Sequence, residues 1–183
     1  QSTPFSIQGD DVYVDGENYN VSATGYTGGT EFASIVATDT GIVTIADTID
    51  TTTVTVERVS VDGETGDVTV LADGQNVTEG ETVSYRFSVD NAPQTTDLVL
   101  TTSLGEVTIP VGETSFIKTV DTRTDENYDQ GDALQTVSVT NATGGNYEAI
   151  VYTDTATANV VDDDDATTVT VERVSVDGET GDV

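Results

Sequence analysis

The stretch TTVTVERVSVDGETGDV occupies residues 52–68, and the same 17 residues occur again at 167–183. Its first part alternates valine with polar residues, and this period of two is typical of a half-buried β-strand. The DGETGD sequence that follows has Gly63 and Gly66 at the positions of a hairpin tip. The stretch therefore predicts a strand that leads into an inserted β-hairpin.

Weaker similarity extends the repeat upstream at the same spacing of 115 residues. Asp10, Asp11 and Tyr13 fall opposite Asp125, Glu126 and Tyr128. Self-similarity at a fixed period is the mark of a tandem-repeat architecture. We predict that the chain is a window on a longer array. Its predicted units are the C-terminal part of one repeat (1–51), a complete repeat (52–166) and the first strand of the next (167–183).

Short period-2 segments continue along the chain, separated by Gly, Asp, Asn and Pro. Seven such strands in about 100 residues predict an all-β fold of immunoglobulin-like β-sandwich repeats in tandem. The predicted strands are 53–61, 82–90, 96–102, 105–110, 115–121, 134–141 and about 149–161. The predicted core positions are Val54, Val56, Val83, Tyr85, Phe87, Leu98, Leu100, Val107, Ile109, Phe116, Val137, Val139 and Ile150. We expect Gly144-Gly145 to form a turn or bulge with positive φ.

Acidic residues dominate the charge: 34 Asp and Glu stand against five Lys and Arg, for a net charge of −29. Nucleic acid is excluded as a partner because phosphate binding needs clustered cations. Insertion into a membrane is not expected, because no apolar run is long enough to span a bilayer. Without His or Cys, and with no Trp to stack on a sugar, the chain lacks the groups that most enzymes use, and we predict no catalytic activity.

The acids bunch in loops, and strand direction places three of these loops at the C-terminal pole of the complete repeat. Carboxylates meeting there would repel one another unless a hard, oxygen-binding cation such as Ca²⁺ bound between them. The three loops carry Asp73, Glu79 and Glu81, then Asp125, Glu126, Asp129 and Asp132, and finally Asp162, Asp163, Asp164 and Asp165. The matching groups of the preceding partial repeat are Asp10, Asp11, Asp15, Asp47 and Asp50. We predict Ca²⁺ ligands from both sets, with Asp73 and Glu81 as loop neighbours of Glu79.

Several stretches, in order along the chain, resemble the extender repeats of large RTX-type adhesins of Gram-negative bacteria, which include LapA-like biofilm adhesins and ice-binding adhesins. They are GDDVYVD at 9–15, the TGG motifs at 27–32 and 143–148, DTIDTTTVTV at 47–56 and VTEGETVSYRFSV at 77–89. The resemblance implies secretion by a type I system to the bacterial cell surface, and repeats stiffened by Ca²⁺ at their junctions.

The leading functional prediction is a structural extender that projects a distant adhesive region for surface attachment or biofilm formation. Its expected partners are neighbouring repeats of the same chain. A Ca²⁺-dependent carbohydrate- or protein-binding module remains an alternative. So does a self-assembling extracellular filament subunit, for which like chains in a fibre would be the partners.

Overall fold

The computed structural model describes residue 4 and residues 6–23, 27–36, 40–175 and 178–180. All regular elements in these residues are β-strands, which confirms the predicted all-β class. No helix in the described residues is long and apolar enough to cross a membrane. The strands are β1 (Glu17–Ser22), β2 (Thr40–Ile45), β3 (Thr51–Val61), β4 (Val68–Val70), β5 (Asn76–Thr78), β6 (Thr82–Val89), β7 (Leu98–Thr102), β8 (Gly105–Ile109), β9 (Ser115–Asp121), β10 (Ala133–Gly144), β11 (Ala149–Val151) and β12 (Thr155–Val161).

Strands β3–β12 form a sandwich of two sheets. One sheet has the order β11-β3-β6-β9, with β4 added to the end of β3, and the other has the order β5-β12-β10-β7-β8. The main strands pair antiparallel, whereas β11 joins β3 and β5 joins β12 in parallel. β3, β6 and β9 lie in one sheet and β7, β10 and β12 in the other, as strands A, B, E and C, F, G do in an immunoglobulin-like sandwich.

The core lies between the two sheets and is made of residues at alternate positions. In β6, Val83, Tyr85, Phe87 and Val89 are buried while the residues between them are half-buried. They meet Leu98 and the other inward side chains of the opposite sheet. Burial of this apolar surface is the main favourable term for folding. Eleven of the thirteen predicted core positions are buried, so the period-2 pattern identified most of the core.

The other two predicted core positions are not buried. Phe116 is 43% exposed because it lies on β9, an edge strand of its sheet. Ile150 is half-buried on the edge strand β11. Lys118, also on β9, reaches across to the other sheet, where its ammonium group donates to the backbone oxygens of Leu104 at 2.7 Å and Glu106 at 3.1 Å.

The last predicted strand, about 149–161, is two strands in different sheets, and the prediction of one strand was wrong. Asp154 lies between β11 and β12 and accepts a hydrogen bond from the Val56 backbone at 2.9 Å. Its carboxylate therefore satisfies a donor on β3 where β11 has ended. The three-residue strand β5 was not predicted, and the fourth main strand, β8, pairs with β7 rather than joining the sheet of β9.

The DGETGD segment forms the predicted hairpin, with β4 paired to the end of β3. The carboxylate of Asp62 accepts the backbone N–H groups of Glu64 at 2.9 Å and Thr65 at 2.8 Å. These hydrogen bonds lower the pKa of Asp62. The Asp62 carboxylate therefore stabilises the turn of its own hairpin. Gly66 in the same turn has a φ of 77°.

The second copy of the repeated stretch has a different structure from the first. Residues 52–60 belong to β3, whereas the identical residues 167–175 form no strand, and Val171 is 91% exposed. β3 pairs with β4, β6 and β11, and residues 167–175 have no such pairing. The predicted strand is thus absent here because a strand needs neighbours to satisfy its backbone groups. Residues 176, 177 and 181–183 of that prediction lie outside the described residues.

Candidate metal centre and the repeat junction

Three chain segments meet at the C-terminal pole of the sandwich. Glu79 follows β5, Asp125 follows β9 and Asp163 follows β12. Backbone hydrogen bonds join the segments: the N–H of Glu79 donates to Val161 at 3.0 Å, and that of Gly80 donates to Arg123 at 3.0 Å. The main chain therefore fixes the spacing of the three carboxylates.

Carboxylate oxygens of Glu79, Asp125 and Asp163 lie within 4.8 Å of one another. Glu79 is only 3% exposed, whereas the two aspartates are exposed to solvent. One Glu79 oxygen, Oε2, accepts a hydrogen bond from Arg123 Nε. The other oxygen, Oε1, is buried and has no hydrogen-bond partner. An unsatisfied buried carboxylate oxygen is costly, so this position calls for a proton or a cation.

Gly80 allows the close approach of Asp125. Its φ is +78°, and a Cβ atom added there would lie 2.9 Å from the Cβ atom of Asp125. A residue with a side chain would be disfavoured both by the left-handed backbone and by this contact. The glycine directly after Glu79 is therefore part of what brings the carboxylates together.

Arg123 is the cation of this pole. Besides Glu79 it contacts Asp162, with Nη2 3.2 Å from Oδ1, and it donates from Nη1 to the Gly131 oxygen at 2.5 Å. It carries one positive charge among at least four carboxylates. Among the described residues the guanidinium group pairs only with Glu79 and Asp162, so the charges of Asp125 and Asp163 have no such compensation.

The pKa directions reflect this crowding. Burial raises the pKa of Glu79, and the carboxyl of Asp162 adds to the rise, while Arg123 opposes it. Burial also raises the pKa of Asp165, with the charges of Asp125, Asp163 and Asp162. For Asp162 burial acts upward, but the neighbouring Glu79 carboxyl, the hydrogen bond from the Gln130 N–H and the Arg123 charge lower the pKa overall. The pole therefore favours protons or cations near Glu79 and Asp165.

The remaining predicted ligands of this pole divide into two groups. Asp129, Asp162, Asp164 and Asp165 line one acidic cleft together with Asp163. Glu126 and Asp132 are exposed, outside both the triad and this cleft. Asp73 lies elsewhere and accepts the backbone N–H of Thr157 at 2.7 Å. Glu81 lines a different cleft, but its backbone oxygen accepts the N–H of Thr122 at 2.9 Å, next to Arg123. The expected convergence of Asp73 with the pole is therefore wrong, whereas Glu81 lies beside the pole and outside the triad.

The acids of the preceding partial repeat lie at the N-terminal end of the sandwich, around the antiparallel pair β1–β2. Asp10 accepts the hydroxyl of Thr48. Asp11 accepts the backbone N–H of Tyr13 at 2.9 Å. Asp10, Asp15, Asp47 and Thr48 help to line a cleft of about 260 Å³. This upstream set therefore also forms a cluster.

Two hydrogen bonds show that the two clusters are built alike. The N–H of Asp15 donates to Asp47 at 3.2 Å, and the N–H of Gln130 donates to Asp162 at 3.2 Å. Both donors and both acceptors are separated by 115 residues, the period of the repeat. The repeat seen in the sequence is thus matched by a repeated local structure.

Glu148 is a site residue that the sequence reasoning did not select. It lies in the turn after β10 of the complete repeat and accepts the backbone N–H of Asp50 at 2.5 Å, while its Oε1 is buried without a partner. The Asp50 N–H lowers the pKa of Glu148, but the Asp47 carboxyl, burial and the charges of Asp47 and Asp50 raise it overall. In the sequence Glu148 is recognisable only as an acid that follows the TGG motif, and no sequence pattern predicts that it lies beside Asp47.

The fold and the site define an all-β sandwich domain with acidic poles and a repeated sequence. Residues 50–164 match the family described as LapA domain, and the chain belongs to that family. This match indicates an adhesin-related role and a cell-surface or extracellular protein. Comparisons with curated proteins and with solved structures found no match.

Proposed function

We propose that this chain is a structural extender segment of a large Ca²⁺-dependent bacterial surface adhesin, and that Ca²⁺ holds its poles together. It projects an adhesive region away from the cell and catalyses no reaction. The observation that carries the Ca²⁺ part is that Glu79, whose buried Oε1 has no hydrogen-bond partner, also belongs to a triad of carboxylates with Asp125 and Asp163.

The chemistry of the donor set fits Ca²⁺. The triad offers only carboxylate oxygens, and Asp162 and Asp165 lie in the adjoining cleft. Ca²⁺ takes six to eight oxygen ligands in flexible geometry, whereas Mg²⁺ demands a near-ideal octahedron and gives up its water reluctantly. A loose, partly exposed set of acids therefore favours the larger ion, with water completing its shell.

Binding at the pole would connect three segments that follow β5, β9 and β12. An ion that binds only the folded chain stabilises it by mass action, by about 2.7 kcal/mol per site at 100 times the dissociation constant. Extracellular Ca²⁺ modules bind in the range of roughly 10⁻⁴ to 10⁻³ M. Such sites would fill outside the cell and stay empty in a cytosol poor in Ca²⁺.

Thermal unfolding of the 183-residue chain in stepped concentrations of Ca²⁺, Mg²⁺ and EDTA tests the proposal. We expect a melting temperature that rises with Ca²⁺ and rises less with Mg²⁺. The double variant Asp125→Asn/Asp163→Asn should lose most of this rise. The control is Glu106→Gln/Glu113→Gln, which removes the same charge from exposed positions outside the triad. If the two double variants respond alike to Ca²⁺, the triad is not the site.

An extender and a binding module are separated by a second measurement. A glycan array probed with the chain in Ca²⁺ should give no selective binding if the role is structural. Selective binding that is lost in EDTA would replace the extender by a Ca²⁺-dependent carbohydrate-binding module.

A further inference from the structure

The contact between the upstream segment and the complete repeat is centred on two tyrosines. The rings of Tyr13 and Tyr147 stack with their centroids 5.5 Å apart and an interplanar angle of 25°. The hydroxyl of Tyr13 donates to the Ala92 oxygen at 2.6 Å, and that of Tyr147 donates to the Asn91 oxygen at 2.5 Å. Each ring thus has an apolar contact and a satisfied polar end.

A short antiparallel ladder supports this stack. Tyr13 and Tyr147 form a β-bridge. The N–H of Val14 donates to Asn146 at 3.0 Å, and the N–H of Glu148 donates to Val12 at 3.1 Å. Val12 and Tyr13 also pack against the hydrophobic core of the complete repeat. The side chain of Tyr13 is therefore inserted into the end of the sandwich, against Tyr147, and we call it the plug.

The site that receives Tyr13, which we call the socket, is formed around Tyr147 and depends on the Gly144-Gly145 pair. A Cβ atom on Gly145 would lie 2.2 Å from the ring of Tyr147, and one on Gly144 would lie 2.1 Å from the Asp97 oxygen. Both glycines have positive φ, as predicted. The turn can therefore fold Tyr147 inward, where it is 8% exposed. The socket belongs to the complete repeat and is located at its N-terminal pole.

The complete repeat carries a second plug at its other pole. Tyr128 is 115 residues after Tyr13, and the hydrogen bonds from Asp15 to Asp47 and from Gln130 to Asp162 place the two loops in equivalent structures. Tyr128 is 77% exposed. An exposed tyrosine alone indicates nothing, but here its equivalent is seen inserted into the same kind of domain.

We infer that Tyr128 and the loop around it form a docking surface whose partner is the N-terminal pole of a second copy of this repeat. The contacts would be those of Tyr13: stacking on the counterpart of Tyr147 and a hydrogen bond to the counterpart of the Ala92 oxygen. This inference rests on the proposed role in a repeat array, but it requires no bound ion. It gives the array an end-to-end protein contact beside the acidic cluster.

The direct test is the chemical accessibility of Tyr128 in the presence and absence of a following repeat. Residues 69–165 are appended after Val183, which continues the repeat in register because 167–183 is identical to 52–68. The appended counterpart of Tyr128 is changed to Phe, so that Tyr128 alone reports from this position. Both chains are nitrated with tetranitromethane, and peptide masses give the extent of reaction at each tyrosine.

We expect Tyr128 to react readily in the 183-residue chain and roughly fivefold or more slowly in the extended chain, because docking protects it. Tyr13 should be equally protected in both. Equal reactivity of Tyr128 in the two chains would overturn the inference. Running the pair in Ca²⁺ and in EDTA separates the two proposals: protection in EDTA supports docking even where no Ca²⁺ effect on melting is found.

Variants of the extended chain provide a second readout. Tyr128→Ala should widen the distribution of interdomain distances in small-angle scattering, whereas Tyr128→Phe keeps the stacking and should lie between it and the parent. Leu134→Ala removes a comparably exposed side chain outside the loop and serves as the control. Identical scattering for Tyr128→Ala and its parent would count against docking.

Discussion

Arg123 donates from Nε to one carboxylate oxygen of Glu79, while the other oxygen of that buried carboxylate has no hydrogen-bond partner. The Arg123 guanidinium therefore satisfies only one of the two oxygens of the buried Glu79 carboxylate. The carboxylates of Asp125 and Asp163 approach the same Glu79 carboxylate, with one oxygen of each residue within 4.8 Å of the others. The response of this pole to substitution should therefore depend strongly on whether Ca²⁺ is present.

Glu79→Gln should reduce the Ca²⁺-dependent rise in melting temperature, because it removes the buried ligand while keeping its shape. Without Ca²⁺ the wild type should gain stability as the pH falls, since the pKa of Glu79 is raised above its ordinary 4.5. That gain is complete below pH 4.5 and is lost as the pH rises through the raised value. The variant should lose this component of the pH slope. Unfolding in EDTA between pH 4.5 and 7 checks it, and the same slope in both proteins would contradict it.

Much of the fold could be predicted because each strand of the sandwich has one face toward the core. Alternation identified Val83, Tyr85 and Phe87 correctly, but it cannot tell an edge strand from a central one. Phe116 lies in the same alternating pattern and is exposed. Edge position is a property of the sheet order, which arises from pairing between segments far apart in the chain.

The candidate site was predictable to the extent that acids cluster in loops. Strand direction correctly put the loop after β9 beside the exit of β12. It failed for Asp73, because the short strand β5 carries the chain along β12 before Glu79 is reached. It missed Glu148 because that residue belongs to the opposite pole and meets Asp47 only through the contact between the upstream segment and the sandwich.

Gly80→Ala and Gly112→Ala form a matched pair. Both glycines have positive φ, so each alanine should cost about 1–2 kcal/mol of unfolding free energy. Only at Gly80 does the new Cβ meet Asp125. Gly80→Ala should therefore also weaken Ca²⁺ binding, whereas Gly112→Ala should leave it unchanged. Denaturant unfolding and calorimetric Ca²⁺ titration of both variants distinguish the backbone effect from the site effect.

Arg123→Ala should destabilise the Ca²⁺-free protein more than Arg86→Ala does. Arg86 pairs with Glu57 at 2.5 Å on the outer face of its sheet, where such pairs contribute about 0.2–1 kcal/mol. Loss of Arg123 leaves the buried Glu79 without its cation. Saturating Ca²⁺ should restore most of the stability of Arg123→Ala and none of that lost in Arg86→Ala. Thermal unfolding of both variants with and without Ca²⁺ is the measurement, and similar recoveries would argue against an ion at Glu79.

Tyr147 makes the junction sensitive to alkali. Burial, with a smaller contribution from Tyr13, raises its pKa to about 12. The unfolded chain loses this proton near pH 10, so the stability that the folded state gains from neutral Tyr147 is present below pH 10 and lost toward pH 12. Tyr147→Phe should cost about 0.5–1.5 kcal/mol at neutral pH by losing the hydrogen bond to Asn91. It should also show a shallower decline above pH 10, measured by denaturant unfolding at pH 8–11.

The parallel pairing of β11 with β3 and of β5 with β12 determines how the domain would respond to tension. A pull along the array enters at β3 and leaves at β12, the strands at the two ends of the sandwich. Because the partners run in the same direction, the load slides one strand past the other. All hydrogen bonds of a pair then share the load together, whereas strands that peel apart lose them one at a time. In the proposed extender role this arrangement would resist a pull along the chain, with the shear strength of two short strand pairs setting the force at which the domain opens.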